Sequence, residues 1–178
     1  SYNTNVTGFA TGENTLYIWA VDEAENESVK QEYTVKIDKT APVFAEENVP
    51  FSKVYLTNGD VEKELKFYVT EANSGLKASS PITITIDGNE IDLSGGEGKS
   101  SIALGAKDSN GKRLVTLTLA PADLQNINGY KTILATAEDI AGNKSTPESI
   151  GILNKDGDSP EPSFISPQEN DIVNKLIT

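Results

Sequence analysis

Two residue types limit the chemistry of this chain by their absence. It contains no His and no Cys, so the commonest general base, the commonest zinc ligand and any thiol nucleophile or disulfide framework are missing. Its reactive inventory is oxygen: 27 Asp and Glu against 15 Lys and Arg, a net charge of −12. Carboxylates support two kinds of chemistry here. A pair of them can share acid and base work at a glycosidic bond, and a cluster can hold a hard cation such as Ca²⁺, which takes about six to eight oxygens. No spacing picks out a catalytic pair. Asp87, Glu90 and Asp92 gather around a hairpin, where tips are polar for solvation, so the chain is expected not to be an enzyme. The candidate cation ligands are Asp38, Glu71, Asn73 and Asp139, which the strand order derived below brings to one pole. Asp156 and Asp158 begin a similar pattern further on. The plain alternative is that acidic residues are solvated, and that Asp22/Asn26 and Asp139/Asn143 only shape their turns through bonds to nearby N–H groups.

A second candidate is aromatic. Tyr17 and Trp19 alternate on the face opposite Leu16 and Ile18, and exposed rings on a sheet can stack a sugar; more often they cover a packing surface. The acidic balance argues against nucleic acid, which calls for a clustered basic face. No apolar run approaches the roughly 20 residues of a membrane span, so membrane insertion is not expected.

The elements that would position these residues follow from period-two alternation. Residues 14–21 alternate cleanly, and 33–37 return beside them. Asp38-Lys39-Thr40-Ala41-Pro42 then reads as a stiff crossing, because proline holds Ala41 extended and donates nothing to a ladder. Segments 43–44 and 51–56, broken at Pro50, are expected to open the next unit. Residues 64–70 form a strand with Leu65, Phe67 and Val69 inward. Residues 82–86 form another, with Ile82, Ile84 and Ile86 inward and Thr83 and Thr85 outward. Asp87-Gly88-Asn89-Glu90 is expected to turn into a short segment at 91–93. Strands at 101–104 and 114–119 follow, the latter with Val115, Leu117 and Leu119 inward. One helical turn with Pro121 in its first turn comes next, then strands at 130–138 and 149–153. Seven or eight short strands about ten residues apart indicate an all-β fold, an antiparallel Greek-key sandwich of immunoglobulin-like or fibronectin-III-like type.

The stretch from Gly12 to Ser28 recurs without a gap from Gly129 to Ser145. The second copy keeps Gly129, Thr132, Ala137, Asp139, Ala141, Asn143 and Ser145 in register and replaces Leu16 by Ile133. A repeat this far apart implies tandem units. The expected organisation is the closing strands of one unit at 1–39, a complete unit at 40–156, and the opening of another at 157–178, where Pro162-Ser163-Phe164 echoes Pro42-Val43-Phe44. Two or three strands cannot bury a core alone, so head-to-tail self-association, the tail of one molecule completing the head of the next, is a further expectation.

The glycine-led strand ending Ala-x-Asp-x-Ala-x-Asn-x-Ser, followed by a strand and Asp-Lys-Thr-Ala-Pro, resembles the bacterial immunoglobulin-like (Big-type) tandem repeats of secreted and cell-surface proteins. Glu25 departs from the family's usual turn glycine. The resemblance implies an extracellular setting, neighbouring Ig-like modules as partners, and a stalk, spacer or adhesion role toward a host or cell-surface glycan or protein. It equally implies accessory domains of large extracellular proteases or glycosidases, and it implies that Ca²⁺ is a possible junction cofactor. A glycan-binding module using Trp19 and Tyr17 is the third reading.

Overall fold

The computed structural model describes residues 8–47 and 50–162. The first seven residues of the unit expected at 1–39 lie outside them, as does the segment from Ser163 onward.

Strands β1 (Gly12–Ile18) and β2 (Gln31–Ile37) form a two-stranded antiparallel sheet in register from Gly12↔Ile37 to Ile18↔Gln31. Everything from Val43 onward builds two further sheets. One has the order β3 (Val43–Glu46), β5 (Lys63–Thr70), β9 (Lys112–Leu119), β8 (Ser101–Leu104). The other runs β4 (Val54–Thr57), β11 (Glu148–Lys155), β10 (Gly129–Ala137), β6 (Ile82–Ile86), β7 (Asn89–Glu90). Among the described residues only β4 and β11 pair in parallel, and every other strand pairing is antiparallel. This is the expected sandwich.

The inward faces meet as the alternation requires. Leu65, Phe67 and Val69 of β5 and Val115, Leu117 and Leu119 of β9 close on Ile82, Ile84 and Ile86 of β6, with Ile133, Ala135 and Ala137 of β10 beside them. Phe44 meets Phe67 edge to face at 5.7 Å. Helix α1 (Pro121–Leu124) places Pro121 in its first turn and buries Leu124 in the same core. Gly151 lets β11 pass close to β4: a Cβ there would lie 2.9 Å from the Tyr55 ring and 3.2 Å from Leu65.

Three details differ from the alternation pattern. The two opening segments do not form one broken strand in one sheet. Residues 51–53 are a turn closed by Lys53 N–H on the Pro50 carbonyl (2.8 Å), and β3 and β4 enter opposite sheets. The strand expected at 91–93 sits instead at Asn89–Glu90. Asp87 and Gly88 both take positive φ (54° and 79°), which makes a two-residue turn that matches sheet twist. Ile91 and Leu93 still pack against the core, but as loop residues. Finally, β1 ends at Ile18, so Trp19 lies beyond its end.

Candidate metal centre

Three separate segments converge at one pole of the sandwich. Strand β5 runs directly into Glu71, and β10 runs through Glu138 into Asp139, so each sheet delivers one carboxylate. Strand β2 of the separate hairpin runs directly into Asp38, which supplies a third. The 71–77 loop is stitched to the end of β10 by Lys77 N–H on the Glu138 carbonyl (3.0 Å) and Ile140 N–H on the Gly75 carbonyl (2.9 Å). As a result one carboxylate oxygen each from Asp38, Glu71 and Asp139 lie within 4.8 Å of one another.

Two of these groups are inside the protein and the third is at its edge. Glu71 is 4% exposed and Asp139 is 1% exposed, with Asp38 half-buried. Among the described residues no lysine or arginine pairs with any of the three; the nearby Lys77 and Lys144 reach Glu138 instead, at 3.1 and 3.8 Å. Two like charges 4.8 Å apart repel by about 3.5 kcal/mol at an effective dielectric of 20, so unpaired company of this kind needs compensation. Part of it comes from N–H donors. Asp38 Oδ1 accepts from Thr40 N (2.9 Å) and Asp38 Oδ2 from Ser74 N (3.0 Å). Glu71 accepts from Asn73 N (2.9 Å) and from Gly75 N. Asp139 accepts from Asn143 N and Nδ2, both at 2.8 Å. Burial pushes the Asp38 carboxyl up, but hydrogen bonds from Ser74, Thr40 and Asn73 outweigh it and hold the group below the usual carboxylate range. These bonds orient each carboxylate while leaving lone pairs free. A pair of oxygens on opposite sides of one Ca²⁺ stands about 4.6–5.2 Å apart, so the observed spacing fits one such ion. Two buried carboxylates, a third at their edge and a buried unpartnered Ser74 hydroxyl make the donor set suitable for a hard cation.

Of the four residues singled out from sequence, three therefore meet. Asn73 is also at the pole, but its amide nitrogen faces Asp38 Oδ1 at 3.4 Å, so in this orientation it donates to the cluster. Three contributors escaped sequence reasoning as parts of the site. The sequence ties Asn143 only to its turn, yet its Nδ2 also reaches the Asp38 carbonyl at 3.2 Å, joining the segment after β2 to the sandwich. Ser74 carries the backbone N–H that seats Asp38. Gly111, at φ +80°, accepts from Glu71 N at 3.2 Å; a Cβ on it would fall 2.6 Å from the Glu71 carbonyl carbon and 2.8 Å from Ala72 Cα. Its place in Asp-Ser-Asn-Gly signalled a turn, but nothing in the sequence signalled what lies against that turn.

The remaining candidates stand apart. Tyr17 and Trp19 are both exposed, and Lys30 Nζ sits over the Trp19 ring at 4.8 Å. Asp87 and Asp92 pair with Lys131 (2.7 Å) and Lys99 (2.9 Å), while Glu90 is exposed. The Lys99 ammonium and the Ser94 side chain hold the Asp92 carboxyl down at about 2. Asp156 and Asp158 follow β11 at the opposite pole. Among the described residues no helix is long and apolar enough to cross a membrane.

No family model matches this chain, and no curated protein does. Among solved structures, a mutant of the SrpA adhesin from Streptococcus sanguinis is similar at 18% identity with a TM-score of 0.37, over 67% of this chain and 60% of that one. The chain thus spans less than two thirds of the adhesin's length. Fibronectin(III)-like modules of Clostridium thermocellum CbhA are similar at 20% identity and a TM-score of 0.37, over 89% of this chain and 72% of theirs. Likenesses of that degree carry no inference about activity.

Proposed function

We propose that this chain is a non-catalytic piece of a bacterial cell-surface or secreted protein, built from Big-type Ig-like modules and serving as a stalk, spacer or adhesive link. In this reading residues 40–156 are one module, 1–39 close its predecessor and 157–178 open its successor. The junction at Asp38 is fixed by Ca²⁺ held by the Asp38, Glu71 and Asp139 carboxylates. One observation carries the reading: three carboxylates from a linker and two sheets meet within 4.8 Å, with no basic partner among the described residues. Such a meeting is of little use to a single folded unit, which would be more stable without it. It is of use to a joint, because an ion there would supply the missing positive charge only when linker and sandwich are docked. The repeat and the Asp-Lys-Thr-Ala-Pro crossing support the tandem arrangement. The accessory-domain reading shares this architecture and is separated from it by the parent's flanking domains.

The test is Ca²⁺ titration of the 178-residue chain by calorimetry and thermal melting. Ca²⁺ at about 100 times its dissociation constant should add ~2.7 kcal/mol of stability, and Asp139→Asn should remove most of that gain. A chain that melts identically with millimolar Ca²⁺ and with chelator would end the junction reading. Turnover of peptide, ester or glycoside substrates that a single carboxylate or serine substitution abolishes would end the non-catalytic one.

A further inference from the structure

The donor set described so far is all anionic, and one neutral oxygen beside it has no explanation. Ser74 Oγ is buried and makes no hydrogen bond of acceptable geometry, alone in this among the side-chain polar atoms of the described residues. A buried hydroxyl without a partner costs about 1–3 kcal/mol, so such an atom calls for a reason. Its surroundings supply one. Ser74 lies in the 71–77 loop between Asn73 and Gly75, whose N–H groups both point at the Glu71 carboxylate, and its own N–H points at Asp38 Oδ2. Three successive N–H groups thus orient two of the converging carboxylates, and the serine carrying the middle one is anchored at the point where they meet. The backbone N–H of Ser74 holds the residue against Asp38 Oδ2 at 3.0 Å, while the hydroxyl itself has no hydrogen-bond partner. A buried hydroxyl oxygen beside Asp38 with no hydrogen-bond partner has a lone pair open to a cation.

We propose that Ser74 Oγ is a neutral ligand of the junction cation, adding a fourth protein oxygen to those of Asp38, Glu71 and Asp139. The inference rests on the cation reading above and gives it a residue-level consequence. A hydroxyl replaces one of the waters that a hard cation would otherwise retain, without adding a fourth negative charge to a site that already holds three.

The experiment compares the 178-residue chain with its Ser74→Ala and Ser74→Thr forms. Calorimetry with CaCl₂ should show Ser74→Ala binding roughly tenfold more weakly, with Ser74→Thr, which keeps a hydroxyl, close to the parent. The luminescence lifetime of Eu³⁺ bound in place of Ca²⁺ reports metal-bound water, and it should show an additional water in Ser74→Ala. The metal-free chain provides the opposing readout: removing an unpartnered buried hydroxyl should leave its melting temperature unchanged or raise it. If Ser74→Ala instead lowers metal-free stability and binds Ca²⁺ as the parent does, the hydroxyl is structural and this proposal is overturned while the cation reading stands. If the parent itself binds no Ca²⁺, both fall together.

Discussion

The Gly12–Ser28 and Gly129–Ser145 repeats fold into the same turn and end in different environments. In the first, Asp22 accepts from Asn26 N and Nδ2 at 2.9 Å, Asp22 N reaches the Asn26 carbonyl at 3.1 Å, and Ala20 N bonds Ser28 Oγ at 2.8 Å. In the second, Asp139 and Asn143 make the same bonds at 2.8, 2.8 and 3.1 Å, and Ala137 N bonds Ser145 Oγ at 2.9 Å. One hydrogen-bond circuit thus serves both. Yet Asp22 is exposed and Asp139 is 1% exposed. The second turn is overlaid by the 71–77 loop and by Asp38, and only there does the asparagine gain a bond to another segment. Local sequence builds the turn; a neighbour converts it into a site.

The contrast should be greatest in the core. Ile133 occupies the repeat position of Leu16, but it is fully buried whereas Leu16 is only half-buried in a two-stranded sheet. Ile133→Ala should cost about 2–5 kcal/mol in denaturant unfolding. Leu16→Ala should cost about 1 kcal/mol or less, read as faster amide exchange confined to β1 and β2. Equal costs would mean that the hairpin has a core of its own.

The asparagines come next. Asn143→Ala removes bonds to the buried Asp139 carboxylate and to the Asp38 carbonyl, a loss of roughly 1.5–3 kcal/mol. Amide exchange at Thr40 and Ser74, whose N–H groups bond Asp38, should quicken with it. Asn26→Ala, in solvent, should stay near half a kcal/mol. Matching effects would show that the bond to Asp38 adds nothing to the turn.

Smaller still is the effect at the turn's left-handed residue. Gly142 at φ +89° has Glu25 at φ +66° as its counterpart, so the first copy places a side chain where glycine is favoured. Glu25→Gly should slow amide exchange in the first turn by an amount equivalent to about 1 kcal/mol. A Cβ on Gly142 meets nothing within 4 Å, so Gly142→Ala should lose a similar amount through backbone strain alone.

The smallest effect is in titration. Hydrogen bonds from the Asn26 side chain and backbone hold the Asp22 carboxyl below its ordinary value. The folded value is depressed, so this contribution is present above the unfolded carboxyl range and is lost as pH falls through the folded value. NMR titration of Asp22 should show a midpoint below that of a free aspartate, and Asn26→Ala should move it upward.

Much of this was legible in the chain because it depends on near neighbours. Alternation at 64–70, 82–86 and 114–119 dictated which faces go inward, since a strand's side chains change sides at every residue. The repeat showed that the Asp–Asn turn forms twice, because its bonds span only four residues. Even the pole at which Asp38, Glu71 and Asp139 meet followed from counting strands. Tertiary structure alone decided the rest. The opening segments part into different sheets because β4 finds a parallel partner in β11, nearly a hundred positions away. The approach of Gly111 to Glu71, the bond from Asn143 to Asp38 and the bond from the Ser74 backbone N–H to Asp38 join segments roughly 35 to 105 residues apart. Such contacts leave no periodic mark on a sequence, because each is a single meeting of atoms that exists only once both sheets have closed.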